Sequence, residues 1–141
     1  MTATKAWGAT APTATLEPFE IDRRTLRDED VAIRIAYCGV CHSDLHAARN
    51  DWGRTHYPFV PGHEIVGTVS AVGSGVSKFK VGDRVAVGTV VDSCRHCDAC
   101  TEGEENYCRN GSTGTYNGKD RIDGSPTYGG YSASIVVAEP Y

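Results

Sequence analysis

The sequence predicts an all-β-dominated fold, a barrel or sandwich of short strands with few short helices and a cysteine-rich loop lobe. Three observations lead there. Val31, Ile33, Ile35 and Tyr37 alternate with Ala32, Arg34 and Ala36, the period-two pattern of a strand with one apolar face. Runs rich in β-branched residues recur, and glycines at positions 62, 67, 73, 75, 82 and 88 punctuate them at the short intervals typical of tight turns and bulges. Only one short stretch in the first half carries a helix signal.

In chain order, the alternating run at 31–37 is the first strand. Ser43 to Ala48 follows as a short helix, with Ser43 or Asp44 as its cap. Glu64 to Ala71 is a second strand, and the run VGDRVAVGTVV over Val81 to Val91, opened by a Gly-Asp turn, is a third. From Asp92 to Gly130 there are four cysteines, many glycines and polar residues and few aliphatics, so that segment cannot bury a core of its own and something else must order it. Tyr131 to Ala138 is the last strand.

A chain of 141 residues with 40% hydrophobic and 23% charged content has room for one compact domain. The 14 basic and 18 acidic residues are scattered, with no run of five like charges, so nucleic-acid binding is not expected. No stretch of about 18 apolar residues occurs, which argues against a membrane partner. Lys5, Glu17, Glu20 and Asp22 interrupt the region where a signal peptide needs continuous apolar residues, so a cytoplasmic location is expected. Cysteines in that reducing compartment serve as metal ligands or redox groups more often than as disulfides.

Cys94, Cys97, Cys100 and Cys108 form C-x2-C-x2-C-x7-C, a spacing that lets four thiolates surround one Zn²⁺ at about 2.3 Å each. Such a site is closed to substrate, and its role is to fold the lobe at about 92–112. Iron–sulfur ligation fits less well, because ferredoxin-type runs place the fourth cysteine after three residues and before proline.

The second constellation is GVCHSDLH, which gathers Cys41, His42, Ser43, Asp44 and His46, followed by Gly62-His63-Glu64. Position 67 is glycine, so the H-E-x-x-H of a metalloprotease is incomplete. Cys41 and His63 are a thiolate and an imidazole, the ligand mix of a catalytic zinc that keeps one position open; two cysteines and one histidine is the set of alcohol dehydrogenase.

GVCHSDLH, VPGHEIVGTVSAVGSGV, VGDRV and the four-cysteine lobe, in this order, resemble the zinc-dependent medium-chain alcohol dehydrogenases. HSDLH after Cys41, YPFVPGHE around His63 and NYC before GTYN are most similar to the cinnamyl-alcohol-dehydrogenase branch of broad-specificity aldehyde reductases. The resemblance implies a GroES-like, partly open β-barrel over 1–141, the N-terminal catalytic domain of a zinc-dependent, NADP(H)-linked oxidoreductase interconverting primary alcohols and aldehydes. It implies that Cys41, His63 and the exchangeable Glu64 bind catalytic zinc, that Ser43 bonds the substrate oxygen and that His46 passes its proton to solvent. It further implies that Asp44 orients His63, that Trp52 lies near the substrate and that His42 contacts a cofactor phosphate, unless His42 simply faces solvent. Full-length members of the family are usually homo-oligomers.

Hydride chemistry needs a nicotinamide site, and no G-x-G-x-x-G follows a strand here. The resemblance places the Rossmann domain and a third zinc-ligating cysteine after residue 141. The expectation is therefore a truncated product, inactive alone, with a vacant third place at the catalytic zinc. Two competing expectations are a stand-alone zinc-binding or interaction module on the same barrel, and a redox or zinc-storage protein in which Cys38 and Cys41 exchange disulfides. Cys38 otherwise reads as a small residue buried at its strand's end, and His56 and His96 as surface residues.

Overall fold

The computed structural model describes residues 2–141. Eight strands form three antiparallel sheets: β1 (Thr2–Gly8) with β2 (Glu17–Arg23); β3 (Asp30–Cys38), β4 (Ile65–Val72), β5 (Arg84–Val87) and β8 (Ser134–Ala138) in the order β5-β4-β3-β8; and β6 (Val90–Asp92) with β7 (Thr113–Gly114). Among the described residues, helices are confined to α1 (His42–Ala48), α2 (Asp98–Thr101) and a 3₁₀ turn at Glu105–Tyr107.

The four-stranded sheet and β6 share one core, while β1 and β2 pack a second, smaller one around Ala6, Ile21 and Val60. Val31 and Ile33 of β3, Ile65 and Val69 of β4, Val87 of β5, Val91 of β6 and Ile135 and Val137 of β8 form a single buried cluster. Each such side chain contributes about 1.5–3 kcal/mol on burial. Barrel-like continuity comes from the segment before β8. There the Trp7 N–H donates to the Tyr131 carbonyl and the Ala133 N–H to the Lys5 carbonyl, both at 2.8 Å, before the chain passes on to pair with β3. One stretch of chain thus ties the β1–β2 hairpin to the larger sheet.

Two charged clusters fix the loops around this core. Arg23 is 7% exposed, and its guanidinium donates to the carbonyls of Tyr128, Gly129 and Ser134 and to Ser132 Oγ at 2.6–2.9 Å. Burial pulls its pKa down to about 10, still far above neutrality. Arg24 and Arg27, after β2, grip Asp120, and Arg24 also holds Asp30 at 2.7 Å. The loop from Thr115 to Tyr128 is thereby anchored to the β2–β3 connection.

Four expectations need correction. The run from Val81 to Val91 is two strands, because it changes partner at Gly88-Thr89: β5 pairs with β4 and β6 with β7. Tyr37 leaves the apolar face of its strand and is 78% exposed, since the β3–β4 register shifts between Ile35 and Tyr37. The helix begins at His42 with Cys41 as its N-cap, and Asp44 acts from inside the first turn by accepting the Cys41 N–H at 2.9 Å. The last strand starts at Ser134, since residues 131–133 pair with β1 instead.

Candidate metal centres and active site

The cysteine lobe folds around its sulfurs. Cys97 caps α2, which carries Cys100 back toward Cys94, and the 3₁₀ turn delivers Cys108. One donor atom from each of the four cysteines lies within 4.8 Å of all the others. A tetrahedral zinc with arms of about 2.3 Å has sulfur–sulfur edges of about 3.8 Å. The sulfurs of Cys94 and Cys100 are 3.9 Å apart and those of Cys97 and Cys100 3.4 Å, so the donor set fits that ion. All four thiols are free.

The lobe supplies hydrogen-bond donors as well as ligands. The Cys94 N–H points at Cys108 Sγ and the Arg109 N–H at Cys97 Sγ, each at 3.4 Å. Backbone donation from His96 and the side chain of Asn110 hold Cys94 down to about 5, and the Arg109 N–H lowers Cys97. The Ser93 hydroxyl favours the Cys100 thiolate, but burial and the neighbouring Cys97 push that residue up to about 11.

The second cluster gathers Cys41, His63 and Glu64, again with donor atoms within 4.8 Å of one another. Cys41 precedes α1, and His63 and Glu64 lie just before β4, so the site sits where helix and strand begin. Asp44 joins the two chain segments: 4% exposed, it accepts the Cys41 N–H through Oδ2 at 2.9 Å and the Gly62 N–H through Oδ1 at 3.0 Å. Its Oδ1 also lies 3.6 Å from His63 Nδ1, which leaves Nε2 facing the cluster, 4.0 Å from Glu64 Oε1. Gly62 has φ +100, and a Cβ there would lie 2.6 Å from the Tyr131 ring and 2.7 Å from Cys38 Sγ, so only glycine brings the chain this close. One thiolate, one imidazole and one carboxylate match zinc's preferences, with Glu64 the exposed member.

The remaining predicted residues surround this cluster. Ser43 Oγ donates to Cys41 Sγ at 3.1 Å. His46 is held by Asp51, Nδ1 to Oδ2 at 2.7 Å, and packs at a tilt between His42 at 4.6 Å and Trp52 at 5.4 Å. His42 is exposed, as are His56 and His96. Trp52, Arg54, His63, Thr89, Thr115 and Tyr116 line a cavity of about 210 Å³ beside the cluster. A larger groove of about 920 Å³, between Trp7, Phe19 and Tyr37, touches none of the candidate ligands. Cys38 is half-buried at the end of β3, where burial raises its thiol, so it is a poor nucleophile for disulfide exchange.

Sequence reasoning gave no role to Tyr116 or Tyr131. Tyr116 donates to Ser43 Oγ at 3.5 Å, its ring centroid is 5.3 Å from that of His63, and it meets Phe59 edge-on at 5.1 Å. Burial pushes its phenol up to about 12 against the pull of Ser43, so it remains a donor at neutral pH. Tyr131 donates to Asp44 Oδ2 at 3.4 Å. The signal for Tyr116 was the GTYN stretch itself, but nothing local shows that it folds back onto His63.

The chain belongs to the alcohol dehydrogenase GroES-like domain family, which matches residues 27–141. Among its relatives, the NADP-dependent alcohol dehydrogenase C 1 of Mycolicibacterium smegmatis is 54% identical over 142 aligned positions, covering 100% of this chain and 40% of that protein. The aldehyde reductase YahK of Escherichia coli is 56% identical over 137 residues, covering 97% of this chain and 39% of that protein. Of solved structures, the cinnamyl alcohol dehydrogenase of Helicobacter pylori complexed with NADP(H) superimposes with a TM-score of 0.96 at 41% identity, covering 99% of this chain and 40% of the other. The Sorghum bicolor enzyme gives 0.94 at 46%, covering 98% and 39%. The chain therefore spans about four-tenths of the length of each of these relatives. Among the described residues, no helix is long and apolar enough to cross a membrane.

Proposed function

We propose that residues 1–141 form the zinc- and substrate-binding catalytic domain of an NADP(H)-linked oxidoreductase that interconverts primary alcohols and aldehydes. The observation that carries this reading is the convergence of Cys41, His63 and Glu64 beside the Ser43 hydroxyl and a cavity walled by Trp52 and Tyr116. Zinc held by Cys41 and His63, with Glu64 as exchangeable third donor, supplies Lewis acidity toward a substrate oxygen. A second zinc in the four-cysteine lobe is structural.

The chain's own groups handle orientation and protons. Asp44 holds the Nδ1 side of His63 and the backbone of Cys41 and Gly62 together, which fixes the angle between the two ligands. Tyr116, a permanent donor, fills one lone pair of Ser43 Oγ and leaves its proton free to face sulfur or a substrate oxygen. His46, braced by Asp51 and partly exposed, is placed to exchange that proton with water. Trp52 bounds the substrate cavity, and the exposed His42 is assigned to a cofactor phosphate. The cavity's size favours one aromatic ring, since about 150 Å³ of apolar space holds benzene.

NADP(H) is favoured over NAD(H) by the relatives described as NADP-dependent or complexed with NADP(H). A cytoplasmic location and homo-oligomeric assembly of the complete enzyme complete the proposal. The same relatives disfavour a non-catalytic interaction module.

The test is a chimera in which residues 1–141 replace the matching part of YahK, which is 56% identical over 137 residues. A folded, zinc-loaded chimera should reduce an aromatic aldehyde with NADPH, and Cys41→Ala should abolish turnover. The 141-residue chain alone should show none. A folded, zinc-loaded chimera without activity contradicts the reading.

A further inference from the structure

The lobe cysteines receive backbone donors that no substitution of a hydroxyl can remove: Cys108 faces the Cys94 N–H, Cys97 the Arg109 N–H, Cys94 the backbone of His96 and Cys100 that of Arg95. Cys100 has a hydroxyl beside it as well. Its sulfur lies 3.2 Å from the hydroxyl of Ser93, a residue 3% exposed that stands outside the cysteine motif. Ser93 Oγ also accepts the Arg95 N–H at 3.2 Å and lies 2.6 Å from the Tyr141 hydroxyl.

A serine hydroxyl has one proton and two lone pairs, and these three neighbours use all of them. A zinc-ligating Cys100 is a thiolate with no proton to give, so the Ser93 hydroxyl is the donor of this pair. The Ser93 proton then turns to sulfur, the Arg95 N–H keeps one lone pair, and Tyr141 must donate to the other. Tyr141 is itself positioned: the Arg95 guanidinium lies 5.5 Å from its ring centroid and ties on to Glu29 at 2.8 Å.

We infer that Ser93, backed by Tyr141, is the positioning residue for the lobe zinc: a directed relay from Tyr141 to Ser93 to the Cys100 sulfur that fixes the ligand and slows metal loss. The relay also joins the lobe to the segment after β8 and, through Glu29, to the start of β3, so the barrel and the metal support each other. This inference rests on reading the lobe as a zinc site, and the experiment separates the two.

The 141-residue chain, loaded with zinc, is mixed with a chromogenic chelator, and the cobalt(II)-loaded chain is examined for its sulfur-to-metal charge-transfer band. Ser93→Ala should release zinc about 10–100 times faster, the usual range for losing an outer hydrogen bond to a ligand. It should also shift the cobalt band to lower energy, because a thiolate stripped of a donor is the stronger electron donor. Ser93→Thr, which keeps the hydroxyl, should restore both. Tyr141→Phe should fall between Ser93→Ala and wild type. Wild-type release and an unshifted band in Ser93→Ala, or failure of Ser93→Thr to restore the band, overturns the inference while leaving the zinc lobe standing. A wild-type chain without a four-thiolate cobalt spectrum removes the zinc reading itself, and the inference with it.

Discussion

Replacing Asp120 by Asn takes one negative charge from a nearly buried ion cluster and is expected to cost about 2 kcal/mol at neutral pH. Asp120, with its side chain 7% exposed, accepts Arg27 Nη1 at 2.9 Å and Arg24 Nη1 at 3.2 Å on Oδ2. Its Oδ1 accepts the backbone N–H groups of Ile122 and Asp123 at 2.8 and 3.1 Å. Burial opposes ionisation, but Arg27 and the two N–H donors outweigh it and bring the carboxyl from the ordinary 3.8 down to about 2. At about 1.36 kcal/mol per pH unit, that difference stabilises the folded protein by about 2 kcal/mol. Because the folded value is the lower one, the contribution is complete above the unfolded pKa of about 3.9 and is lost as pH falls toward 2. With a urea slope of about 2 kcal/mol per molar, Asp120→Asn should unfold about 1 M earlier than wild type at pH 7. That gap should close between pH 4 and pH 2. Any loss of zinc in acid affects both proteins, so the gap isolates the carboxylate. An equal midpoint at pH 7, or a gap unchanged at pH 2.5, refutes the reasoning. The loop at stake carries Tyr116, so the measurement also reports how firmly the candidate substrate wall is held.

Asp44→Asn leaves one carbonyl oxygen for two N–H donors and turns an amide toward the other; it should cost about 2–3 kcal/mol in urea unfolding. It should also weaken zinc at Cys41 and His63 by about 10–100-fold in a competitive chelator titration. Gly62→Ala must adopt φ +100 with its Cβ against Tyr131 and Cys38, and thermal unfolding should show a loss of about 2–4 kcal/mol. Gly39→Ala would drive a methyl into the Glu64 carboxylate and push it away from Cys41 and His63. The second zinc should bind several-fold more weakly while the lobe zinc is unaffected, as calorimetric titration of each would register.

The fold class and the grouping of candidate ligands were more legible in the sequence than the bounds and partners of single strands. Cysteines at a ligand spacing mark the lobe without any knowledge of the fold, because four thiolates that close together have few other uses. The strand at 31–37 was visible because its buried positions are β-branched. The first strand was not: its buried positions are Thr4, Ala6 and Gly8, too small for a period-two signal. The run at 81–91 looked continuous because composition does not record the change of partner at Gly88-Thr89. Tyr116, Tyr131 and Ser93 show the same limit in the sites. Each touches a candidate ligand or its support only through the fold, and a lone tyrosine or serine in a polar loop carries no spacing that would single it out.

We propose that this chain holds two zinc sites of different kinds, one caged by cysteines and one open at Cys41 and His63. Native mass spectrometry of the purified chain, before and after added zinc, tests it most directly. About one zinc should survive desalting and be lost in Cys97→Ala. A second should appear on zinc addition and be lost in Cys41→Ala and in His63→Ala, with the first retained in both. A chain that takes up only one zinc under all conditions, or a second zinc indifferent to Cys41 and His63, would contradict the account.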